Sequence, residues 1–208
     1  MELTEKRYVD EDFTEVDLRD QEIDGIEFVG CDFAGASFVG SSTNGTSFQD
    51  CSFDSAEMYR TSHVSTSFVT CRFRYTPFHG TSMTGCRLTG SSFDDCRLIP
   101  LTFVDCDLTL VSFGGLSLKG SVLAGLRLRE ANLNGSDLRD CDLRRADLTG
   151  ARTQGTKLSG ADLRGATVSP GFWTSADLRG ARVDMEQAVF FAAASGLYVG
   201  DPVAPGAA

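Results

Sequence analysis

Large apolar residues recur at every fifth position along most of the chain. They begin as Phe13, Leu18, Ile23, Phe28, Phe33 and Phe38, and the phase continues without insertion or deletion to Val183. Of the 35 positions on this phase, 26 are Phe or Leu, too many for coincidence, so a five-residue unit builds the chain. The neighbouring phases are ordered as well. Two residues before each of these centres stand small side chains such as Ala36, Ala56, Ala131, Ala146 and Ala161, interspersed with Ser, Thr and Cys. Immediately before the centre come polar groups, among them Asp12, Asp17, Asp137, Asp142 and Asp162. Two residues after it glycine recurs, as at Gly25, Gly30, Gly35 and Gly40.

A period of five matches neither a helix, at about 3.6, nor an extended strand, at about 2. It requires a chain that turns a corner every five residues. The centre and the small residue two before it then point inward together, and the other three positions face out. Glycine at the corner suits a turn that demands unusual backbone angles.

The purest stretches read ADLTG at 146–150 and ADLRG at 161–165 and 176–180. This [Ala/Ser/Cys]-[Asp/Asn]-[Leu/Phe]-x-Gly pattern, over residues 11–185, resembles the pentapeptide-repeat family. The resemblance implies an all-β fold, a right-handed quadrilateral parallel β-helix in which four sides make a coil of about twenty residues. Successive coils would stack as parallel strands ~4.8 Å apart, giving a cylinder of roughly 42 Å. Three further stretches are similar to the actinobacterial fluoroquinolone-resistance pentapeptide proteins: CRLIPLTFVDCDLTLVSFGG at 96–115, SGADLRGATVSP at 159–170 and GARVDMEQAVFFAAASGL at 180–197. Some proteins of that group carry loops that interrupt the repeat; the unbroken phase predicts none here.

With a coil of twenty residues, positions twenty apart form ladders. One reads Phe13, Phe33, Phe53, Phe73, Phe93, Phe113 and then Leu133. Seven cysteines invite a metal or disulfide reading, but Cys31, Cys51, Cys71, Cys86, Cys96, Cys106 and Cys141 all fall on the small inward phase. They read as small buried hydrophobes, unbridged in a reducing cytoplasm, and a linear ladder offers a metal no convergent ligands. His63 occupies a centre between Thr43 below and Met83 above, and is expected to be a neutral core residue hydrogen-bonded to Thr43. No nucleophile elbow, phosphate loop or dinucleotide fingerprint is present, and the glycine spacing is a corner rule. Neither an enzyme nor a cofactor is expected.

After Val183 the repeat stops. Asp184 is a plausible N-cap for MEQAVFFAAA, with Gly196 closing the helix. Met185, Val189, Ala192 and one of Phe190 and Phe191 form an apolar face, part of which should plug the last coil. The two phenylalanines point ~100° apart, so one plug cannot hold both. A dimer contact is the destination of the other, and the resemblance implies dimerisation through this end. Met185, Val189, Phe190 and Phe191 are the candidate interface. The chain thus divides into a lead-in over residues 1–10, a repeat helix over 11–184, a capping and dimerisation helix over 185–197 and a disordered tail over 198–208.

The net charge is −10, and the first fifty residues carry all of it. Such a surface disfavours nucleic acid and anionic membranes as partners. No apolar run approaches a membrane span and the acidic start has no signal-like core, so the cytoplasm is the expected location. Residues 11–50 hold ten acids and one base, a net −9. Over the ~10 Å of two coils this exceeds the roughly 6 charges of duplex DNA. Two readings stay open for these acids: a solvated cap that blocks edge-to-edge pairing of the first coil, or a local imitation of DNA. The resemblance implies the second, with DNA gyrase, a type II topoisomerase, as the partner. The chain would inhibit gyrase and protect it from fluoroquinolones or a related poison. Candidate contacts are Asp12, Asp17, Asp20 and Asp32 near the N-terminus, and Asp137, Asp140 and Asp177, which share one face by the twenty-residue register. A generic interaction scaffold with no topoisomerase partner is the alternative.

Overall fold

The computed structural model describes residues 3–98 and 100–200. The chain winds into a right-handed parallel β-solenoid of about eight coils, closed at its C-terminal end by a short helix. Every strand pairing and every isolated bridge joins residues twenty apart, from Arg7↔Glu27 to Asp162↔Arg182. The register is therefore constant along the rod. The longest sheet stacks Glu22–Asp24, Ser42–Asn44, Ser62–Val64, Thr81–Thr84 and Leu101–Val104.

The corners explain why the unit has five residues. Thirty-two of the thirty-five residues whose numbers are multiples of five, from Asp10 to Gly180, have φ between 48° and 76°. This left-handed region costs an ordinary L-residue roughly 1–2 kcal/mol, and glycine nothing. Seventeen of the corners are glycine, and six of the other fifteen are Asp, which tolerates the region better than most. At Gly40 a Cβ would also collide with the Asp20 carboxylate on the corner below. The exceptions are Pro100 and Pro170, whose rings forbid positive φ, and Ser175, which lies in a helical turn.

All centres from Phe13 to Leu163 are buried. Along one side Phe13, Phe33, Phe53, Phe73 and Phe93 stack with centroids 4.7 to 5.1 Å apart and planes within 15° of parallel. Phe113 continues the column but tilts by 46°. A second column, Tyr8, Phe28, Phe48 and Phe68, stacks alongside and meets the first edge to face, as in Phe28–Phe33 at 5.2 Å and 77°. Stacking within columns and edge contacts between them are both favoured ring geometries.

The small inward phase has a chemical task besides fitting. Each cysteine donates its S–H to the carbonyl of a centre one coil below, as Cys71 does to Phe48 at 3.4 Å and Cys141 to Leu118 at 3.0 Å. Thr76 and Thr156 do the same through their hydroxyls, at 2.7 Å to Phe53 and Leu133. All seven cysteines are buried and unbridged, and burial pushes the Cys96 and Cys141 thiols up to about 11. His63 lies sealed between Thr43 and Met83, its Nδ1 2.8 Å from Thr43 Oγ1 and its Nε2 3.1 Å from Thr61 Oγ1.

The ends differ from the sequence-based expectation. Residues 1–10 are not merely a lead-in, because Arg7–Val9 pairs with Glu27–Val29 and Tyr8 extends the Phe28 column. One side of the last coil, residues 171–175, becomes the helical turn α1 (Phe172–Ser175), which buries Phe172 and Trp173. The closing helix α2 (Met185–Ala194) is the expected MEQAVFFAAA, and Gly196 at φ 81° ends it within the 185–197 segment. Its cap is a reciprocal box: Asp184 accepts from the Gln187 N–H, and Gln187 Oε1 accepts from the Asp184 N–H, both at 3.0 Å. The plug is not an apolar residue of α2. Gln187 enters instead and donates Nε2 to Leu163 and Ala166 carbonyls at 2.7 and 2.8 Å, because the last coil leaves those carbonyls without a strand above. Of the expected tail, residues 198–200 lack regular structure, and 201–208 lie outside the described residues.

Two outcomes follow. Phe53→Ala or Phe73→Ala should cost ~3–5 kcal/mol in denaturant melts, while Thr43→Val should be milder, and equal small losses in all three would contradict the ladder. Burial also lowers the His63 imidazole from 6.5 to about 4. The unfolded chain binds that proton first as pH falls, so stability drops by ~3 kcal/mol between pH 6.5 and 4. His63→Met, matching Met83 above it, should remove that slope; an unchanged slope would show that another group is responsible.

Candidate functional site

Because each strand is fully paired to its neighbours, the surface consists of the side chains just before and just after each centre, together with the corners. Where Asp precedes the centre and Arg follows it, the two lock together. The Asp Oδ1 accepts the N–H of the Arg, an Asx-type turn. The guanidinium then returns Nε and Nη2 to the two carboxylate oxygens, the bidentate geometry that makes such pairs strong. The distances are 2.8 and 2.5 Å in Asp17–Arg19, 2.8 and 2.6 Å in Asp137–Arg139, and 3.0 and 2.7 Å in Asp177–Arg179. Asp142–Arg144 and Asp162–Arg164 repeat the arrangement. Arg139 holds the Asp137 carboxyl down at about 2, and Arg164 does the same for Asp162.

The seven candidate acids therefore separate into two groups. Asp17, Asp137 and Asp177 have their charge largely neutralised by their own arginines. Asp140 sits on a left-handed corner, φ 59°, with Lys119 Nζ 3.7 Å away. Within the shared face, Lys157 stands between Asp137 and Asp177 and pairs with both through backbone β-bridges. Asp12 and Asp32 accept the backbone N–H groups of Thr14 at 2.9 Å and Ala34 at 3.0 Å, and the Thr14 side chain also holds the Asp12 carboxyl below its ordinary range. Asp20 occupies a corner at φ 56°. None of Asp12, Asp20 and Asp32 has an ion-pair partner among the described residues. Acids without an ion pair are concentrated at the first coils, whereas Arg145, Arg152, Lys157 and Arg182 on the last ones have no ion-pair partner among the described residues. The sequence reading missed the arginine partners. Their signal was present in the recurring Asp-Leu-Arg triplet, whose outer members flank the same centre.

At the other end, the four candidate interface residues all face solvent. Met185 is 82% exposed and Phe190 54%, and Val189 and Phe191 are also exposed, with Phe191 touching Trp173 edge-on at 6.2 Å between centroids. The imidazole–hydroxyl contacts of His63 are sealed in the core, out of reach of any substrate. The surface has an acidic tip, flanks on which carboxylates pair with arginines, and an apolar closing helix. No helix among the described residues is long and apolar enough to cross a membrane.

A five-residue unit with left-handed corners and a twenty-residue register together define the quadrilateral β-solenoid class. The chain belongs to the pentapeptide-repeat family: the profile described as "Pentapeptide repeats" matches in 8 copies over residues 12–42, 31–62, 106–145 and 141–169. No curated protein matches the sequence. Among solved structures the fold is similar to that of QnrB1, a plasmid-mediated fluoroquinolone resistance protein. Two trypsin-treated forms align with TM-scores of 0.81 and 0.80 at 21% identity, covering 93% of this chain and 99% and 97% of theirs. The full-length form aligns at 0.78 and 19% identity, covering 92% of this chain and all of its own.

The pairing makes a direct prediction. Arg139→Gln should return the Asp137 carboxyl from about 2 toward its ordinary 3.8 in a carbon-detected NMR titration. Thermal stability should change by less than about 1 kcal/mol, as for other exposed pairs. An unmoved Asp137 titration would show that the backbone N–H bond alone sets it.

Proposed function

We propose that this protein binds DNA gyrase, presenting its N-terminal coils as a partial imitation of duplex DNA, and thereby inhibits the enzyme and protects it from fluoroquinolones or a related poison. The observation that carries this reading is the concentration of unpaired acids on the first two coils of a rod with duplex-like proportions. The likeness of fold to QnrB1 is consistent with it. The acids that matter are then Asp12, Asp20 and Asp32, with Asp17, Asp137, Asp140 and Asp177 secondary because cations already offset them. That same offset favours a second reading, a scaffold for a different protein partner, since it confines any resemblance to DNA to one tip.

The assembly suited to this role is a homodimer joined through α2. Met185, Val189, Phe190 and Phe191 form an exposed apolar patch beside an end whose core Gln187 and Trp173 already close. A two-fold contact between identical patches would cover them. The product is a rod of roughly 85 Å, from two ~42 Å cylinders, with acidic coils at both tips. Gyrase is itself two-fold, so a symmetric rod could meet both halves of its DNA path.

Titrating purified protein into a gyrase supercoiling assay, with and without ciprofloxacin, tests the reading. Inhibition together with protection is expected, and neither would favour the scaffold. Asp12→Asn, Asp20→Asn and Asp32→Asn combined should weaken inhibition about tenfold. The same exchange at Asp137, Asp140 and Asp177 should weaken it less. Phe190→Asp with Phe191→Asp should give a folded monomer by light scattering that no longer inhibits. A double variant that stays dimeric would remove the interface, and a monomer of full potency would remove the symmetry argument.

A further inference from the structure

Two corners are occupied in a way that weakens the fold. Thirteen of the fifteen non-glycine residues in the left-handed region are Asp, Glu, Ser, Thr or Arg; the other two are Tyr75 at φ 56° and Leu110 at φ 61°. A bulky L-side chain is strained there. Neither recovers that strain by full burial, since Tyr75 is 55% exposed and Leu110 51%. Glycine, used at seventeen other corners, would relieve the strain and remove the exposed apolar surface. Residues that break a local rule without a gain in packing point to function.

Both corners bound the same side of the solenoid. Leu110 leads into the flat face formed by residues 111–115 and their register mates, and Tyr75 ends that face two coils below. On this side, next to Tyr75, lies a shallow concavity lined by Asp54, Arg72, Arg74, Asp94 and Asp95. Its cations are engaged. Arg72 Nε binds Asp54 Oδ1 at 2.9 Å, and Arg74 stacks on Tyr75 with Cζ 4.9 Å from the ring centroid while donating to its hydroxyl at 3.2 Å. Asp94 and Asp95 have no ion-pair partner among the described residues. The face thus offers two exposed apolar corners and, on the coil between them, two carboxylates without a direct ion pair.

We infer that this face, between Tyr75 and Leu110, is a docking surface for a protein partner that sets apolar side chains against the two corners and a basic side chain against Asp94 and Asp95. The unpaired carboxylates repel a phosphate backbone, so nucleic acid does not fit. Exposed Tyr flanked by Arg is also the composition of interface hot spots. The inference rests on the gyrase reading above and deepens it, placing a contact on the flank of each rod in addition to the acidic tip.

Glycine substitution separates docking from structure. Tyr75→Gly with Leu110→Gly should raise the Kd for purified gyrase by about tenfold or more in surface plasmon resonance. Its melting temperature should hold or rise, because the corners relax. Asp94→Lys with Asp95→Lys should weaken binding similarly. Unchanged affinity of the double-glycine variant overturns the docking role, and a lowered melting temperature overturns it by making the two side chains structural. Duplex DNA retained by the wild type and lost by the variant also overturns it, in favour of nucleic acid. Wild-type protein that does not bind gyrase overturns the parent reading and this one with it, whereas binding by the wild type and the variant alike sinks only this one.

Discussion

The structure depends on a backbone constraint: a left-handed residue every fifth position. That conformation turns the chain through a corner, and four such corners bring it back above its own start after twenty residues. Once the return is set at twenty, every backbone ladder is parallel and in register, and each centre lies on the centre of the coil below. The three non-conforming corners mark where the pattern is under stress. Pro100 interrupts the rod without displacing the register, whereas Pro170 and Ser175 bracket the helical turn that begins closure of the rod.

A constant register makes the core a set of columns, and columns reward repetition. Phenylalanine stacks on phenylalanine at about 5 Å, and the two aromatic columns interlock edge to face across the interior. The same repetition leaves the carbonyl of each centre facing the coil above. The short polar side chains on the inward phase answer it, which is why Cys, Ser and Thr alternate with Ala at positions that would otherwise want only smallness. His63 and its threonines are a local version of the same solution. A polar cluster replaces rings in one column, at the expense of a proton-sensitive point in an otherwise indifferent core.

The surface obeys a different logic, because the backbone is committed and only side chains are free. Asp before a centre and Arg after it lie on one strand, close enough to chelate, so many carboxylates on the flanks are neutralised internally. The sequence places the net charge in the first fifty residues but does not show which acids are paired. The geometry instead leaves the free ones at the first coils and beside Tyr75. Uncompensated charge and exposed apolar side chains are therefore concentrated at the tip, at the face ending in Tyr75 and at the closing helix.

The five-residue phase, the inward cysteines, the Phe13 to Phe113 ladder and the His63–Thr43 contact were all legible in the sequence, because each follows from counting once the register is known. The cap at Asp184 was legible too, since capping is a local rule. Counting did not reveal that Gln187 rather than a phenylalanine closes the last coil. That choice answers two carbonyls left open only when a particular coil ends there. Nor did it reveal which acids are left without an ion-pair partner, or that Tyr75 and Leu110 stay exposed on one face. Those depend on distances between side chains brought together by the corners, and a linear pattern fixes their order but not their partners.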